Sequence, residues 1–330
     1  MQDRRARDLE RAVAAVRAAA LAVARLGDPA SFASAAVVEK GGRGPATVAD
    51  LASQAVIVKA LRAADGADVA IVAEESADDV DALGGGPMWG LVVDAVRGVD
   101  ARVGTSDVRA LLTGIDPPSA SGRWWTIDPL DGTKGYLRGG QFAIALALLE
   151  DGVPVLGVLG LPRLGAHGHD AGPGVVVAAA AGAGAMQAGL VGGAWTRVAC
   201  RQWSPGMPIR LGGSVERAHS TSDSIDDSLA ALGPVSAIRI DSQAKYGLVA
   251  RGDADAYVRL SPDTTYRECI WDHAAGALIA QEAGCLVSDA HGRPLDFTVG
   301  RRLERNVGIV CAPPALHRTI ASALAGTSLG

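Results

Sequence analysis

Residues Trp125 to Gly135 read WTIDPLDGTKG, and their reading decides what the rest of the chain is for. A strand-forming run leads into Asp128 and Asp131, which flank a proline-rigidified turn that opens into Gly132 and Thr133. Between the two acids, Leu130 can turn its backbone carbonyl toward the same space. The amides of Gly132 and Thr133 then stand at the start of a short helix, where they suit a phosphate. Ligation by carboxylates and a carbonyl alone is what Mg²⁺ prefers, and Mg²⁺ usually shares its shell with substrate phosphate. The local chemistry is therefore metal-assisted phosphoryl chemistry. Asp-Pro-x-Asp-Gly is also good turn chemistry by itself, because Asp caps backbone amides and Gly takes positive φ.

Three other segments end an element in acidic or hydroxyl groups. Thr47-Val48-Ala49-Asp50 is, in isolation, most simply a capping box with the hydroxyl at N-cap and the carboxylate at N3. Glu74-Glu75 ends a short strand, where solvated charge is the usual explanation. Asp272 in Trp271-Asp272-His273 reads as the N-cap of a helix running to Ala283. Together, a strand-end acid, a turn with two acids and a helix-start acid are the types that build a multinuclear Mg²⁺ site from distant segments. Phosphate-monoester hydrolysis is among the slowest uncatalysed reactions, so charge on the phosphoryl oxygens has to be neutralised and water activated.

The whole chain sets wider bounds. Its 330 residues suffice for about two domains, and 48% hydrophobic with 20% charged residues is ordinary for a globular protein. A net charge of −5 gives no reason to expect nucleic acid or an anionic membrane, so a substrate anion must be attracted locally. Cys200, Cys269, Cys285 and Cys311 are widely spaced without a CxxC pair, which argues against a zinc site and a disulfide framework and for free thiols in a reducing cytosol. The N-terminal turns are charged, unlike a secretory signal. Gly174 to Trp195 carries no charge but is dominated by Ala and Gly, which gain little from lipid, so a Gly-rich hairpin is the better reading. With 27 arginines and four lysines, Lys134 and Lys245 beside candidate site motifs stand out slightly from the background.

Along the chain, hydrophobic spacing predicts a helix from about Arg5 to Leu26, a strand at Val37 to Glu39 and a helix beginning near Thr47 with Leu51, Ala55, Val58 and Leu61 on one face. A strand at Val69 to Ala73 precedes a long, loop-like insertion, Asp78 to Gly122. Trp124 to Ile127 is a strand that delivers the DPLDG turn, and Gln141 to Leu149 with Val153 to Leu159 form a hairpin about Glu150-Asp151-Gly152. Leu161 to Gly165 is the candidate domain boundary, giving units 1–162 and 163–330. Beyond it, strands at Ser236 to Ile240, Ala256 to Leu260 and Val307 to Cys311 alternate with helices at Ser242 to Val249 and Asp272 to Ala283. No internal repeat is visible.

Taken together, TVAD, AEES, DPLDGTKGYLRGGQFA, SQAKYGL and WDHAAGALIAQEAG closely resemble the lithium-sensitive, Mg²⁺-dependent sugar-phosphatase superfamily that includes inositol monophosphatase and fructose-1,6-bisphosphatase. Within it the match is nearest to the 3′(2′),5′-bisphosphate nucleotidases, and it runs from roughly Val37 to Ala312. DGTKGYLRG followed by Gln-Phe-Ala, SQAKYG, and the long segment between Glu74 and Asp128 separate that branch from the monophosphatases. The resemblance implies a layered α/β/α/β/α sandwich, an α/β class fold with an N-terminal α+β unit and a C-terminal α/β unit and the metal site in the cleft between them. It places metal ligands on Glu74, Asp128, the carbonyl of Leu130, Asp131 and Asp272, with Glu75 a neighbour. It places the water-activating pair on Asp50 and Thr133, and the scissile phosphate on the amides of Gly132 and Thr133. Nucleotide contacts fall on His219, Ser242, Lys245 and Arg259, with Asp272 near the sugar. Leu130 stands where isoleucine is commoner, but only its carbonyl is used.

The activity so implied is Mg²⁺-dependent hydrolysis of the 3′-phosphate of adenosine 3′,5′-bisphosphate to AMP, and of 3′-phosphoadenylyl sulfate to adenylyl sulfate, with two or three Mg²⁺ per site and inhibition by lithium. An inositol polyphosphate 1-phosphatase is the alternative enzyme. A nucleotide sensor without turnover is the alternative class, disfavoured because every acid of the metal site is present. The expected partner is a small-molecule nucleotide, with no nucleic acid, no membrane and no obligate protein partner, in the cytoplasm.

Overall fold

Side chains alternate strictly along Ala143–Glu150, and both sets are buried: Ile144, Leu146 and Leu148 face one core cluster, while Ala143, Ala145, Ala147 and Leu149 face another. A strand with two buried faces must lie in a sheet covered on both sides. The computed structural model describes residues 2–27, 37–40, 45–82, 86–113, 121–215, 233–261, 263 and 265–325.

In chain order the elements are α1 (Gln2–Arg25), β1 (Val37–Glu39), β2 (Pro45–Thr47), α2 (Val48–Asp65), β3 (Ile71–Ala73), α3 (Ala77–Ala82), α4 (Met88–Arg97), α5 (Thr105–Leu112), β4 (Arg123–Asp131) and α6 (Thr133–Leu137). There follow β5 (Ala143–Glu150), β6 (Val153–Leu161), β7 (Val175–Ala180), β8 (Gly184–Gly189), β9 (Thr196–Val198), β10 (Ile209–Gly213), β11 (Val235–Arg239), α7 (Ala244–Ala250) and β12 (Ala256–Arg259). A 3₁₀ turn at Ile270–Asp272, then α8 (Ala274–Glu282), β13 (Leu286–Ser288), β14 (Ile309–Ala312) and α9 (Pro314–Ala325) complete the chain.

Strands β3 to β9 form one seven-stranded sheet in sequence order, and β11-β10-β12-β14-β13 form a five-stranded sheet. Helices α1 and α2 cover one face of the large sheet, α7 and α8 fill the space between the sheets, and α9 covers the far face of the small sheet through Leu316, Ile320 and Leu324. The layering is the expected α/β/α/β/α sandwich. The hairpin turn at Asp151 and Gly152 takes φ values of 50° and 75°. The uncharged stretch after Gly174 is the β7–β8 hairpin, and no helix among the described residues is long and apolar enough to cross a membrane.

Two expectations change. Leu161–Gly165 joins β6 to β7 within one sheet, so the passage from large sheet to small falls later, between Val198 and Ile209. The segment Asp78 to Gly122 is not a loop in its described part, because α3, α4 and α5 occupy it. Trp89, Val92, Val93 and Val96 recur at helical spacing and bury against α2, where each large apolar side chain stabilises by about 1.5–3 kcal/mol. The glycines and acids around them conceal that period. Residues 41–44 of the expected Gly41–Pro45 loop lie outside the described residues.

The alanine face of the large sheet lets α8 approach to backbone contact. A Cβ at Gly157 on β6 would lie 2.7 Å from the carbonyl oxygen of Ala275. Gly157→Ala is therefore expected to destabilise the protein by about 1–3 kcal/mol, whereas Gly90→Ala, at an exposed position of α4 with nothing within 4 Å of its new methyl, is expected to stabilise it by about 0.5–1 kcal/mol. Urea unfolding of both variants checks the pair; equal effects would contradict this packing.

Candidate active site

The DPLDG stretch is not the simple turn the sequence suggests. Strand β4 continues through it to Asp131, but Asp128 pairs with Ala145 and Asp131 with Ala143, so the β4 side holds one residue more than β5 between these pairs. That is a β-bulge, one of the few places a sheet interior tolerates proline, whose missing N–H interrupts the ladder. In a regular strand residues three apart face opposite ways; the extra residue lets both carboxylates line one cavity. Gly132 follows with φ 88°, and a Cβ there would crowd Ser242 at 3.1 Å, so glycine meets both demands. Helix α6 then starts at Thr133.

Helix α2 holds these pieces. Asp50, Ser53 and Gln54 share one face of it and are at most 2% exposed. Thr47 caps the helix as a full capping box, and Asp50 Oδ2 accepts from the Thr47 amide at 2.8 Å and its hydroxyl at 2.5 Å. The other oxygen, Oδ1, accepts from Thr133 Oγ1 at 3.2 Å. Cap and site residue are therefore the same carboxylate. Ser53 Oγ donates to the Pro129 carbonyl at 2.7 Å, fixing the bulge. The Gln54 carboxamide donates to the Glu75 carbonyl at 2.8 Å and accepts from the Glu75 amide at 3.0 Å, extending β3 by one artificial ladder pair beside Glu74. Arg301 adds a bond to the Ala73 carbonyl at 2.7 Å while lying over the Trp271 ring.

Glu75 is buried rather than solvated. Its Oε1 accepts from Lys40 Nζ at 2.5 Å, and the same ammonium donates to Glu74 at 3.2 Å. Burial pulls the Lys40 pKa down, but Glu74 and Glu75 outweigh it and hold the ammonium above the ordinary lysine range.

The opposite wall comes from residues 241–273. Gln243 donates its amide to Asp131 Oδ2 at 2.6 Å, while its carboxamide donates to the Trp271 carbonyl at 2.9 Å and accepts from the Gly276 amide at 3.3 Å. One buried glutamine thus ties Asp131 to the turn carrying Asp272 and to α8. Asp272 is not a helix N-cap as expected; it ends the 3₁₀ turn, and His273 takes the N-cap position of α8. Ser242 has φ 70°, and its hydroxyl accepts from the Ala244 amide at 3.2 Å. Lys245, 3% exposed, donates to the Ile240 carbonyl at 3.2 Å and lies over the Tyr257 ring. Burial lowers its pKa to about 8 against the charge of Asp131. Arg259 Nε donates to Glu268 at 2.7 Å.

Glu74, Asp128, Leu130, Asp131, Gly132, Thr133, Ser242, Lys245, Arg259 and Asp272 all line one cavity of about 520 Å³. Asp50 joins it through Thr133, and His219 lies outside the described residues. The sequence reading did not find Ser53, Gln54, Gln243, Lys40 or Glu268. The first two carried a signal, since polar residues three and four positions after Asp50 stand in a helical stretch, Val48 to Val58, that is otherwise apolar.

The donor set fits a hard divalent cation. Burial, then Glu74, Asp131 and Asp272, push the Asp128 carboxyl well above its usual range; burial, then Asp131, does the same to Asp272. Burial raises Asp131 despite Lys245. Thr133 Oγ1 also lies 3.2 Å from the Leu130 carbonyl, but with its one proton directed at Asp50 the carbonyl keeps its lone pairs to offer. These residues bring oxygen donors together with too little positive charge beside them, the environment Mg²⁺ completes. Glu268, Asp272 and His273 also bring ligand atoms within 4.8 Å of one another, but Glu268 is bound to Arg259 and both His273 ring nitrogens are engaged, by Tyr246 at 2.9 Å and Glu268 at 3.4 Å.

An acid-lined cleft between the layers of such a sandwich is the site of a phosphatase that works with metal ions. The sequence model described as the inositol monophosphatase family matches residues 7–328, and the chain belongs to that family. A 3′(2′),5′-bisphosphate nucleotidase of Emericella nidulans is 39% identical over 316 residues, covering 87% of this chain and 89% of that protein. One from Oryza sativa is 37% identical over 309 residues, covering 87% and 86%. A solved Thermotoga maritima IMPase shares the fold with a TM-score of 0.67 at 19% identity, covering 96% of each chain.

Two outcomes follow from the geometry. Burial raises Asp50 to about 6 and, with Glu74 adding to it, Glu75 to about 8, both above their unfolded values. Between roughly pH 4 and 8 the folded protein therefore holds more protons than the unfolded chain, and stability without metal falls as pH rises through that window. A hard divalent cation would bind the deprotonated site, so thermal stabilisation by added Mg²⁺ should be larger at pH 8 than at pH 5, as read by melting temperature; a larger effect at pH 5 would contradict the assignment. Gln54→Leu removes the clamp beside Glu74 and is expected to weaken Mg²⁺ binding by about 10–100-fold in calorimetric titration; unchanged affinity would show that the clamp is not needed.

Proposed function

We propose that this chain is a phosphomonoesterase that removes the 3′-phosphate of adenosine 3′,5′-bisphosphate, giving AMP and phosphate, and that acts likewise on 3′-phosphoadenylyl sulfate to give adenylyl sulfate. The observation that carries the reading is a single cavity that combines four carboxylates for metal with separate cations, Lys245 and Arg259. Such a cavity suits a substrate with one phosphate to cleave and another to grip. The relatives named for this activity support the same substrate.

Glu74, Asp128, the Leu130 carbonyl, Asp131 and Asp272 would hold two or three Mg²⁺. When bound, Mg²⁺ neutralises phosphoryl charge and lowers the pKa of water. The amides of Gly132 and Thr133 hold phosphoryl oxygens at the start of α6. Thr133 has one hydroxyl proton; directed at Asp50 Oδ1, it leaves the Oγ1 lone pairs to accept from the attacking water and aim it at phosphorus. Asp50, raised to about 6 by burial, is a suitable terminus for a proton passed this way. Arg259 and Lys245 hold the uncleaved phosphate by charge-assisted hydrogen bonds, and Ser242 and His219 complete the nucleotide contacts. Lithium inhibits by competing for the same oxygen ligands. Four free cysteines suit a reducing, cytoplasmic setting, and the nucleotide needs no nucleic acid, membrane or obligate protein partner.

Phosphate release should be Mg²⁺-dependent, suppressed by lithium and faster for adenosine 3′,5′-bisphosphate than for inositol 1,4-bisphosphate or AMP. Lys245→Ala should raise KM for the nucleotide at least tenfold, and far more than for an inositol phosphate. Preference for the inositol substrate would keep the metal chemistry and overturn the nucleotide pocket.

A further inference from the structure

Behind the cavity wall runs a buried chain of hydrogen bonds of which the hydrolytic reading uses only the first member, Arg259. Arg259 Nε donates to Glu268 Oε1 at 2.7 Å, Glu268 Oε2 lies 3.4 Å from His273 Nε2, and His273 Nδ1 lies 2.9 Å from the Tyr246 hydroxyl. Glu268 is 4% exposed, His273 1% and Tyr246 0%. One histidine tautomer satisfies both of its contacts: Nε2–H donates to Glu268, and the Tyr246 hydroxyl donates to Nδ1. The Tyr246 ring is itself locked, because a Cβ on Gly276 of α8 would fall 2.3 Å from it. The chain therefore joins β12, α7 and the start of α8, and it passes through the residue that follows Asp272.

Arg259 supplies the cation at one end. A guanidinium has five N–H donors. Glu268 takes the Nε proton, which fixes the plane of the fork and leaves terminal amino groups for the cavity that Arg259 lines. Without a buried acceptor at Nε, a long side chain would have to be ordered by the substrate itself, and that lost freedom weakens binding. The pair also places a full negative charge behind the arginine, so the guanidinium stays paired when no anion is present.

We infer that Glu268 is a positioning residue for recognition of the second phosphate, holding Arg259 in register with the Asp272 turn through His273. This rests on the proposed role of Arg259 as a contact for the uncleaved phosphate. Glu268 does not touch substrate in this scheme; it decides how sharply the enzyme separates a bisphosphate from a monophosphate with the same scissile bond.

The test uses the full chain with Mg²⁺ and compares adenosine 3′,5′-bisphosphate with adenosine 3′-monophosphate for the wild type, Glu268→Gln, Arg259→Ala and the double variant. Glu268→Gln should raise KM for the bisphosphate about tenfold, the factor expected for weakening one charge-assisted hydrogen bond. Its kcat and its KM for the monophosphate should stay near wild type. In the Arg259→Ala background the same change should add nothing, because the residue acts through Arg259. Glu268→Asp, which keeps the charge but shortens the reach to Nε, should show the same split in milder form and serves if the glutamine variant does not fold. Equal KM changes for both substrates, additive effects in the double variant, or a tenfold loss of Mg²⁺ affinity in Glu268→Gln would each overturn the inference, the last by assigning Glu268 to the metal end. If Arg259→Ala discriminates between the substrates and Glu268→Gln does not, only the role of Glu268 falls. If Arg259→Ala fails to discriminate, the reading of Arg259 falls and takes this inference with it.

Discussion

The polar face of α2 is the constraint on which the rest depends. Asp50, Ser53 and Gln54 are buried on a helix that otherwise packs apolar side chains against the large sheet. A buried polar group without a partner costs several times what a satisfied bond contributes, so each of the three must find one. They find Thr133, the Pro129 carbonyl and both backbone groups of Glu75. Those lie on the two segments at the large sheet's end, Glu74–Glu75 and Asp128–Thr133, that bring acids to the cavity. Gln243 does the same from the other side, joining Asp131 to the Trp271 carbonyl and to α8. The site is thus assembled by obligatory hydrogen bonds between elements, and its carboxylates have little freedom to drift apart.

What is gained in order is set against charge. Asp128, Asp131 and Asp272 repel one another in a buried cavity, and each is held above its usual pKa. Neutral helices and sheets around them supply the stability that these acids withdraw, most visibly where alanine and glycine faces allow α8 to reach backbone contact with β6. A cation in the cavity reverses the sign of the electrostatic contribution. Metal binding and the integrity of the acid cluster are for that reason one property of the fold.

Much of this was legible in the sequence, and the remainder was hidden for identifiable reasons. The apolar runs Gln141 to Leu149 and Val153 to Leu159 about Glu150-Asp151-Gly152 announced a hairpin, and WTIDPLDGTKG announced the chemistry of the site. Proline after Asp128 argued for a turn, because only pairing with β5 reveals a bulge. Asp272 looked like a cap because a short 3₁₀ turn ahead of α8 has no sequence mark of its own. The helical insertion was obscured by glycine and acid content around a correct apolar period. Leu161–Gly165 punctuates the chain without ending its sheet, since Pro and Gly mark turns and carry no information about which strand comes next. Ser53, Gln54 and Gln243 were missed because their partners lie far away in sequence, and position on one helix face pointed to the first two alone; the partners of Glu268, Arg259 and His273, are near in sequence, but no helical or strand period marks that they meet.

The most direct test of the central claim, that metal-held chemistry and second-phosphate recognition share one cavity, is to follow the reaction of adenosine 3′,5′-bisphosphate by ³¹P NMR in the presence of Mg²⁺. The expected result is loss of the 3′-phosphate resonance, growth of inorganic phosphate and full retention of the 5′ resonance. Loss of the 5′ resonance, removal of both phosphates at similar rates, or no change in the spectrum would contradict it.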